Sequence, residues 1–141
     1  MKKTAVVYWS STGNTEAMAQ AVLEGMKEAG AEAVLLTPDA VDVSALAGMD
    51  AIAFGCPAMG SEVLEESEFE PMFDGCKSSI GGKRVALFGS YGWGDGEWMR
   101  SWEKSCDDAN INLFTESVIC CEAPDDDALA ACTAMGKALA E

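Results

Sequence analysis

Val6-Val7-Tyr8-Trp9-Ser10-Ser11-Thr12-Gly13-Asn14-Thr15 is the stretch on which the fold turns. An apolar run ends at Trp9, small and hydroxylated residues follow, and a helical pattern starts at once with Glu16-Ala17-Met18-Ala19-Gln20-Ala21-Val22-Leu23. A strand that passes into a helix through so short a loop gathers the loop hydroxyls and the free N–H groups of the helix's first turn in one place. That end carries partial positive charge and unpaired donors, which suits an anion. The loop holds no Lys or Arg, so a phosphate bound there meets neutral donors only. Ser and Thr runs also cap helices without binding anything. Ser10, Ser11, Thr12, Gly13, Asn14 and Thr15 together are more than one cap uses.

Outward from this stretch, strand and helix patterns alternate. Thr4–Trp9 reads as a strand buried on both faces. Glu16–Ala29 reads as a helix closed by Gly30. Ala33–Leu36, Ala51–Gly55, Arg84–Gly89 and Leu113–Cys120 supply four further strands. A short helical turn around Val43–Ala47 and helices over Glu68–Cys76, Glu97–Asp108 and Asp126–Ala140 lie between or after them. This alternation predicts an α/β fold, a three-layer sandwich around a five-stranded parallel sheet. The 141 residues, 49% apolar and without repeats or long linkers, are expected to form a single domain over 1–141.

Charge and composition then narrow the function. The chain has 24 acidic and 9 basic residues, a net charge of −15, and no histidine. So acidic a surface excludes nucleic acid and anionic membrane as partners and favours proteins that present basic docking patches. No stretch approaches the ~20 apolar residues of a membrane span. The opening Met1-Lys2-Lys3 leads into the first strand rather than a signal peptide, so the expected location is the cytoplasm. The six cysteines form no Cys-x-x-Cys pair and read as reduced structural thiols. The absence of His excludes Ser/His/Asp and Cys/His catalysis.

In a parallel sheet of this kind, ligands bind beyond the carboxyl ends of the strands. The loop after the third strand is Gly55-Cys56-Pro57-Ala58-Met59-Gly60-Ser61-Glu62, and that after the fourth is Gly89-Ser90-Tyr91-Gly92-Trp93-Gly94-Asp95-Gly96. Trp93 between two glycines offers a flat face for stacking on a planar ring, although loop tryptophans also serve as buried plugs. Met59 is suited to the ring's other face, and equally to a core. A phosphate tail joined to a flat ring that does its own chemistry is the ligand these loops describe.

The same residues carry a resemblance. Trp9 to Thr15, Gly55 to Glu62, Val63-Leu64-Glu65-Glu66-Ser67-Glu68 and Phe88 to Gly96, in this order, resemble the short-chain, clostridial-type flavodoxins, which are electron carriers with flavin mononucleotide (FMN). The resemblance covers essentially the whole chain and implies strand order 2-1-3-4-5 and one non-covalent FMN. It implies a low-potential, one-electron carrier shuttling between semiquinone and hydroquinone, a monomer without a substrate-converting site, serving redox proteins. Ser10, Ser11, Thr12, Gly13, Asn14 and Thr15 would hold the phosphate, Met59 and Trp93 would flank the isoalloxazine, and the Glu62 carboxylate would accept from flavin N3–H. Backbone N–H groups near Gly92 and Trp93 would face O2, and Ser90 would lie along the ribityl chain. Pro57, Ala58, Gly60, Ser61, Tyr91 and Gly94 complete the implied cofactor contacts. The turn through Gly60 would re-aim a peptide carbonyl on reduction. Glu62, Glu65, Glu66, Glu68, Asp95 and Glu97 would ring the exposed flavin edge, with Asp125–Asp127 nearby.

Other readings of a strand–loop–helix anion site fit less well. A Cys-x5-Arg phosphatase would need Arg where Glu62 follows Cys56. A phosphoacceptor receiver domain would need Asp where Gly55-Cys56 ends the third strand. Gly92-Trp93-Gly94 lacks the third glycine of a dinucleotide fingerprint, with Glu97 in its place. The alternative that stays open is an FMN-dependent quinone or disulfide reductase, or a specialised reductase partner.

Overall fold

The computed structural model describes residues 2–60 and 62–141. Strands β1 (Lys3–Tyr8), β2 (Glu32–Leu36), β3 (Ala51–Gly55), β4 (Arg84–Tyr91) and β5 (Val118–Cys121) alternate with helices α1 (Asn14–Glu28), α2 (Val43–Ala47), α3 (Phe69–Cys76), α4 (Glu97–Asp108) and α5 (Asp126–Ala140). The strands form one five-stranded sheet in the order β2-β1-β3-β4-β5, every pairing parallel, as the resemblance implied. β3 at the centre is buried along its whole length, which is why Ala51-Ile52-Ala53-Phe54 carries no polar residue.

The two faces of the sheet make two cores. Ile52, Phe54 and Leu87 pack with Leu46 of α2, Phe69 and Phe73 of α3 and Trp102 of α4. Phe73 and Phe69 both meet the Trp102 ring edge-on, at centroid distances of 5.6 and 5.4 Å. On the other face Val6, Ala53, Ala86 and Phe88 pack with Met18, Val22 and Met26 of α1 and Cys132, Met135 and Leu139 of α5. α1 and α5 also touch each other, backbone against backbone. A Cβ at Gly25 would overlap the Thr133 carbonyl oxygen, and one at Gly136 would overlap the carbonyl of Val22.

The fifth strand is shorter than expected. Leu113 makes only an isolated bridge to Val85, and regular pairing begins at Val118 opposite Phe88. From Val85 to Phe88 is three steps, from Leu113 to Val118 five, so the chain has two residues too many and loops out of the sheet between them. β4 conversely runs on to Tyr91, because Cys121 pairs there.

The start of α3 shows a second difference. Glu65, expected on the acidic rim, is 7% exposed. Its carboxylate accepts from the amides of Ser67 (3.0 Å), Glu68 (2.7 Å) and Phe69 (2.8 Å) and from the Ser67 hydroxyl. Glu65 is therefore the cap of α3, satisfying amides the helix leaves free. Burial works to raise its pKa, but the hydrogen bonds from Ser67, Phe69 and Glu68 outweigh it and hold the carboxyl below its ordinary value.

Alanine at Gly25 or Gly136 gains up to ~1 kcal/mol of helix propensity. The overlap with backbone atoms outweighs that gain, so each variant should lose about 1–3 kcal/mol, read as a lower urea midpoint. Gly75→Ala in α3, where a Cβ meets nothing within 4 Å, should instead raise the midpoint. Glu65→Ala should lose about 1–3 kcal/mol at neutral pH. Because the folded-state pKa of Glu65 is depressed, that stabilisation is present above the unfolded value of about 4.3 and is lost as pH falls through the folded one. The wild-type and Glu65→Ala midpoints should therefore converge in acid.

Candidate functional site

The carboxyl ends of β1, β3, β4 and β5 surround a cavity of about 490 Å³. Four loops line it: Ser10, Ser11, Thr12, Asn14 and Thr15 after β1; Pro57, Ala58 and Met59 after β3; Ser90, Tyr91 and Gly92 at the end of β4; Glu122 and Ala123 after β5. No Lys or Arg is among these residues.

The loop after β1 turns at Gly13, whose φ of +95° is open to glycine at little cost. Its conformation is held by the Gly13 amide donating to Ser10 Oγ at 3.1 Å. α1 starts immediately beyond with no side chain capping it. The other helices differ. Asp42 accepts from Ser44 N at the start of α2, Glu65 caps α3, Glu62 accepts from Glu97 N (3.0 Å) at the start of α4, and Asp125 accepts from Ala128 N at the start of α5. Among the five described α-helices, only α1, whose N-terminus opens on the cavity, keeps its first amides free of a carboxylate. Thr15 in its first turn is 1% exposed and lines the cavity, and its hydroxyl has no hydrogen-bond partner. A buried, unpartnered hydroxyl beside free helix amides is what a phosphate would satisfy. The donor set thus fits the phosphate that the sequence pointed to, and the Ser/Thr run is not spent on capping.

The loop after β3 is tied to β4 by Cys56 N donating to the Phe88 carbonyl (3.2 Å) and Ala58 N to that of Ser90 (3.1 Å). Met59 and Val63 exchange two amide bonds of 2.9 and 3.0 Å, closing a tight turn. Gly60 (φ +46°) and Glu62 (φ +57°) both take left-handed backbone in that turn. Ser61 lies outside the described residues. The Glu62 carboxylate occupies the space that a Cβ at Gly94 would fill, its carboxyl carbon 2.6 Å from that position, and Gly94 itself takes a left-handed φ of +84° that favours glycine. Glu62 thus stands outside the cavity's lining, against the positive end of α4.

Trp93 is on the tip of the next loop, 58% exposed, outside the cavity's lining. Tyr91 lines the wall and leans on Trp98, which donates its indole N–H to the Cys56 carbonyl at 3.0 Å. Ser90 is buried, its hydroxyl donating to the Glu122 carbonyl at 2.6 Å, and Glu122 N donates to the Tyr91 carbonyl at 2.7 Å. The sequence assigned Glu122 and Ala123 no specific contact; their signal there is position, directly after the fifth strand, where a ligand-facing loop is expected.

Burial pushes the Cys56 thiol up to about 12, and those of Cys106 and Cys132 likewise to about 12. Such thiols are poor nucleophiles at neutral pH. Among the described residues no group of three or more His, Cys, Asp or Glu is arranged to hold a metal ion, and no helix is long and apolar enough to cross a membrane.

Comparison with known proteins gives a consistent result. The sequence model of the flavodoxin family matches residues 6–136. The chain is 44% identical over 135 residues to a flavodoxin of Clostridium beijerinckii, covering 96% of this chain and 97% of that one. It is 43% identical over 136 residues to the flavodoxin of Megasphaera elsdenii, covering 96% and 97%. The solution structure of the two-electron reduced Megasphaera elsdenii flavodoxin superimposes with a TM-score of 0.89, covering 97% of this chain and 98% of that one. Matching strand order, an anion-receptive first loop and near full-length similarity agree, and the chain belongs to the flavodoxin family.

Proposed function

We propose that residues 1–141 act as one FMN-binding, electron-carrying unit, with FMN in the four-loop cavity. The observation that carries this reading is the uncapped start of α1 with the orphaned Thr15 hydroxyl beside it. The cavity's volume of about 490 Å³ falls within the range of small-molecule sites, about 300–1,000 Å³. Bound FMN supplies the redox chemistry, accepting and giving up one electron at a time.

The chain's own residues bind, orient and tune. Ser10, Ser11, Thr12, Asn14 and Thr15, with the amides that Gly13 leaves accessible, hold the phosphate without a countercharge. Ser90 and Tyr91 would hold the middle of the ligand and Pro57, Ala58, Met59 and Gly92 its ring end, where Trp93 would offer a further flat face. Glu62 offers a carboxylate acceptor at the ring's polar edge, fixed in place by its bond from Glu97 N. Gly60 gives the Met59–Val63 turn the backbone freedom to present either a carbonyl or an N–H to the ring. Carboxylates at the rim (Glu62, Asp95, Glu97) oppose added negative charge in the cavity, modestly because water screens them, and so favour a low potential. The net charge of −15 steers a redox partner with a basic docking face, with faster association at low salt. The protein works as a monomer in the cytoplasm. A thiol-assisted disulfide reductase gains nothing from Cys56, whose thiol burial holds neutral.

Anaerobic titration of the FMN-loaded protein with dithionite should resolve into two one-electron stages in visible absorbance. A single two-electron stage would overturn the carrier reading in favour of a reductase. Thr15→Val should weaken FMN affinity about tenfold or more, the value of a hydrogen bond to a charged group. The same variant should leave riboflavin affinity unchanged and not lower the stability of the FMN-free protein, because its hydroxyl has no partner there. Equal losses for FMN and riboflavin would remove Thr15 from the phosphate site.

A further inference from the structure

Gly92, Gly94 and Gly96 leave the segment that carries Trp93 with little intrinsic stiffness. Gly94 and Gly96 take left-handed φ values of +84° and +92°. The segment is exposed except at Gly96, so packing does not order it. Two side chains hold it. On one side is the Glu62 carboxylate, seated against Gly94 and the Glu97 amide. On the other is Arg100, one turn into α4.

Arg100 spreads its whole guanidinium over the segment. Nη1 donates to the Asp95 carbonyl at 3.1 Å, and Nη2 to Asp95 Oδ1 at 2.9 Å and to Glu97 Oε2 at 2.6 Å, while Nε reaches the same Glu97 oxygen at 3.1 Å. The bond to the Asp95 carbonyl fixes backbone, not only a side chain. The planar fork is what allows three donors to act at once, and an ammonium in its place could not reproduce it. The same cation offsets two of the three carboxylates assigned to the rim.

We infer that Arg100 is the positioning residue for the Trp93 segment: its fork locks the backbone at Asp95 and so sets where the exposed Trp93 stands, while its charge offsets Asp95 and Glu97 at the rim. This rests on the FMN reading above for its consequence, but not for the loop order itself. The guanidinium and its partners are half or more exposed, so the contribution to global stability is small, as for exposed ion pairs generally. Ordering a glycine-rich loop before the ligand arrives lowers the entropy lost on binding. Arg100 acts through that ordering and through its charge, without touching the ligand.

Two variants separate these roles: Arg100→Lys keeps the charge and loses the fork, and Arg100→Gln loses both. In the FMN-free protein, backbone 15N heteronuclear NOEs at Trp93–Asp95 should fall in both variants, while those of β4 and the urea midpoint stay unchanged. FMN affinity should weaken about threefold in both, an amount typical of losing exposed but well-oriented pairs. The potential of the second electron should fall in Arg100→Gln and stay near the wild-type value in Arg100→Lys. Unchanged loop NOEs in Arg100→Gln, or a Lys variant whose loop is as ordered as the wild type's, would overturn the positioning role. Equal potentials in wild type and Arg100→Gln would overturn the charge role. Should the wild-type chain bind no FMN, the function proposed above falls, and the NOE comparison still decides whether Arg100 orders the loop.

Discussion

The sheet order β2-β1-β3-β4-β5 is the constraint on which the rest of this structure depends. β1 sends its chain outward to β2, while β3 is reached by crossing back over β1 and sends its chain the other way. Loops leaving β1 and β3 therefore diverge, and a crevice opens between them at the carboxyl ends of the strands. Every residue that lines the cavity is delivered by that geometry. The purely apolar β3 at the centre makes the order stable, and the close contact of α1 with α5 through Gly25 and Gly136 covers one face tightly enough to hold it.

Within that frame, the acidic residues do more than charge the surface. Asp42, Glu65, Glu62 and Asp125 each satisfy amides at the start of a helix, so part of the acidity is structural. α1 is the exception, and α1 is the helix that points into the cavity. A protein of charge −15 that is to hold a phosphate without lysine or arginine must do so with oriented dipoles in a sheltered place. The sheltering is visible in Thr15, and the screening of the rim in Arg100, which pairs with carboxylates that would otherwise add to the repulsion.

The glycines of the site fall into two physical types. Gly13 and Gly60 supply left-handed backbone in turns with open space around them. Gly94 combines left-handed backbone with a close contact, since the Glu62 carboxylate lies where a side chain there would begin. That contact joins the β3 and β4 loops into one wall, with the left-handed Glu62 as its hinge point.

By itself the sequence determined what depends on neighbours along the chain. Apolar runs, helical periodicity and glycine-bounded loops placed Ala51–Gly55, Glu97–Asp108 and Asp126–Ala140 with their true limits, and the hydroxyl-rich turn after β1 marked the anion site. Only the tertiary structure decided which partner each group takes, whether near or distant in the chain. Leu113–Cys120 has the pattern of one strand, but the register against β4 leaves two residues surplus between Leu113 and Val118, and the chain loops out there. Glu65 reads as one more surface acid, yet the amides at the start of α3 close around it. Glu122 and Ala123 reach the cavity because β5 pairs with β4 as far as Tyr91, and Arg100 meets Asp95 because α4 folds back over its own entry loop. Local preference is written residue by residue; register, burial and the choice of hydrogen-bond partner arise only when separate segments compete for the same space.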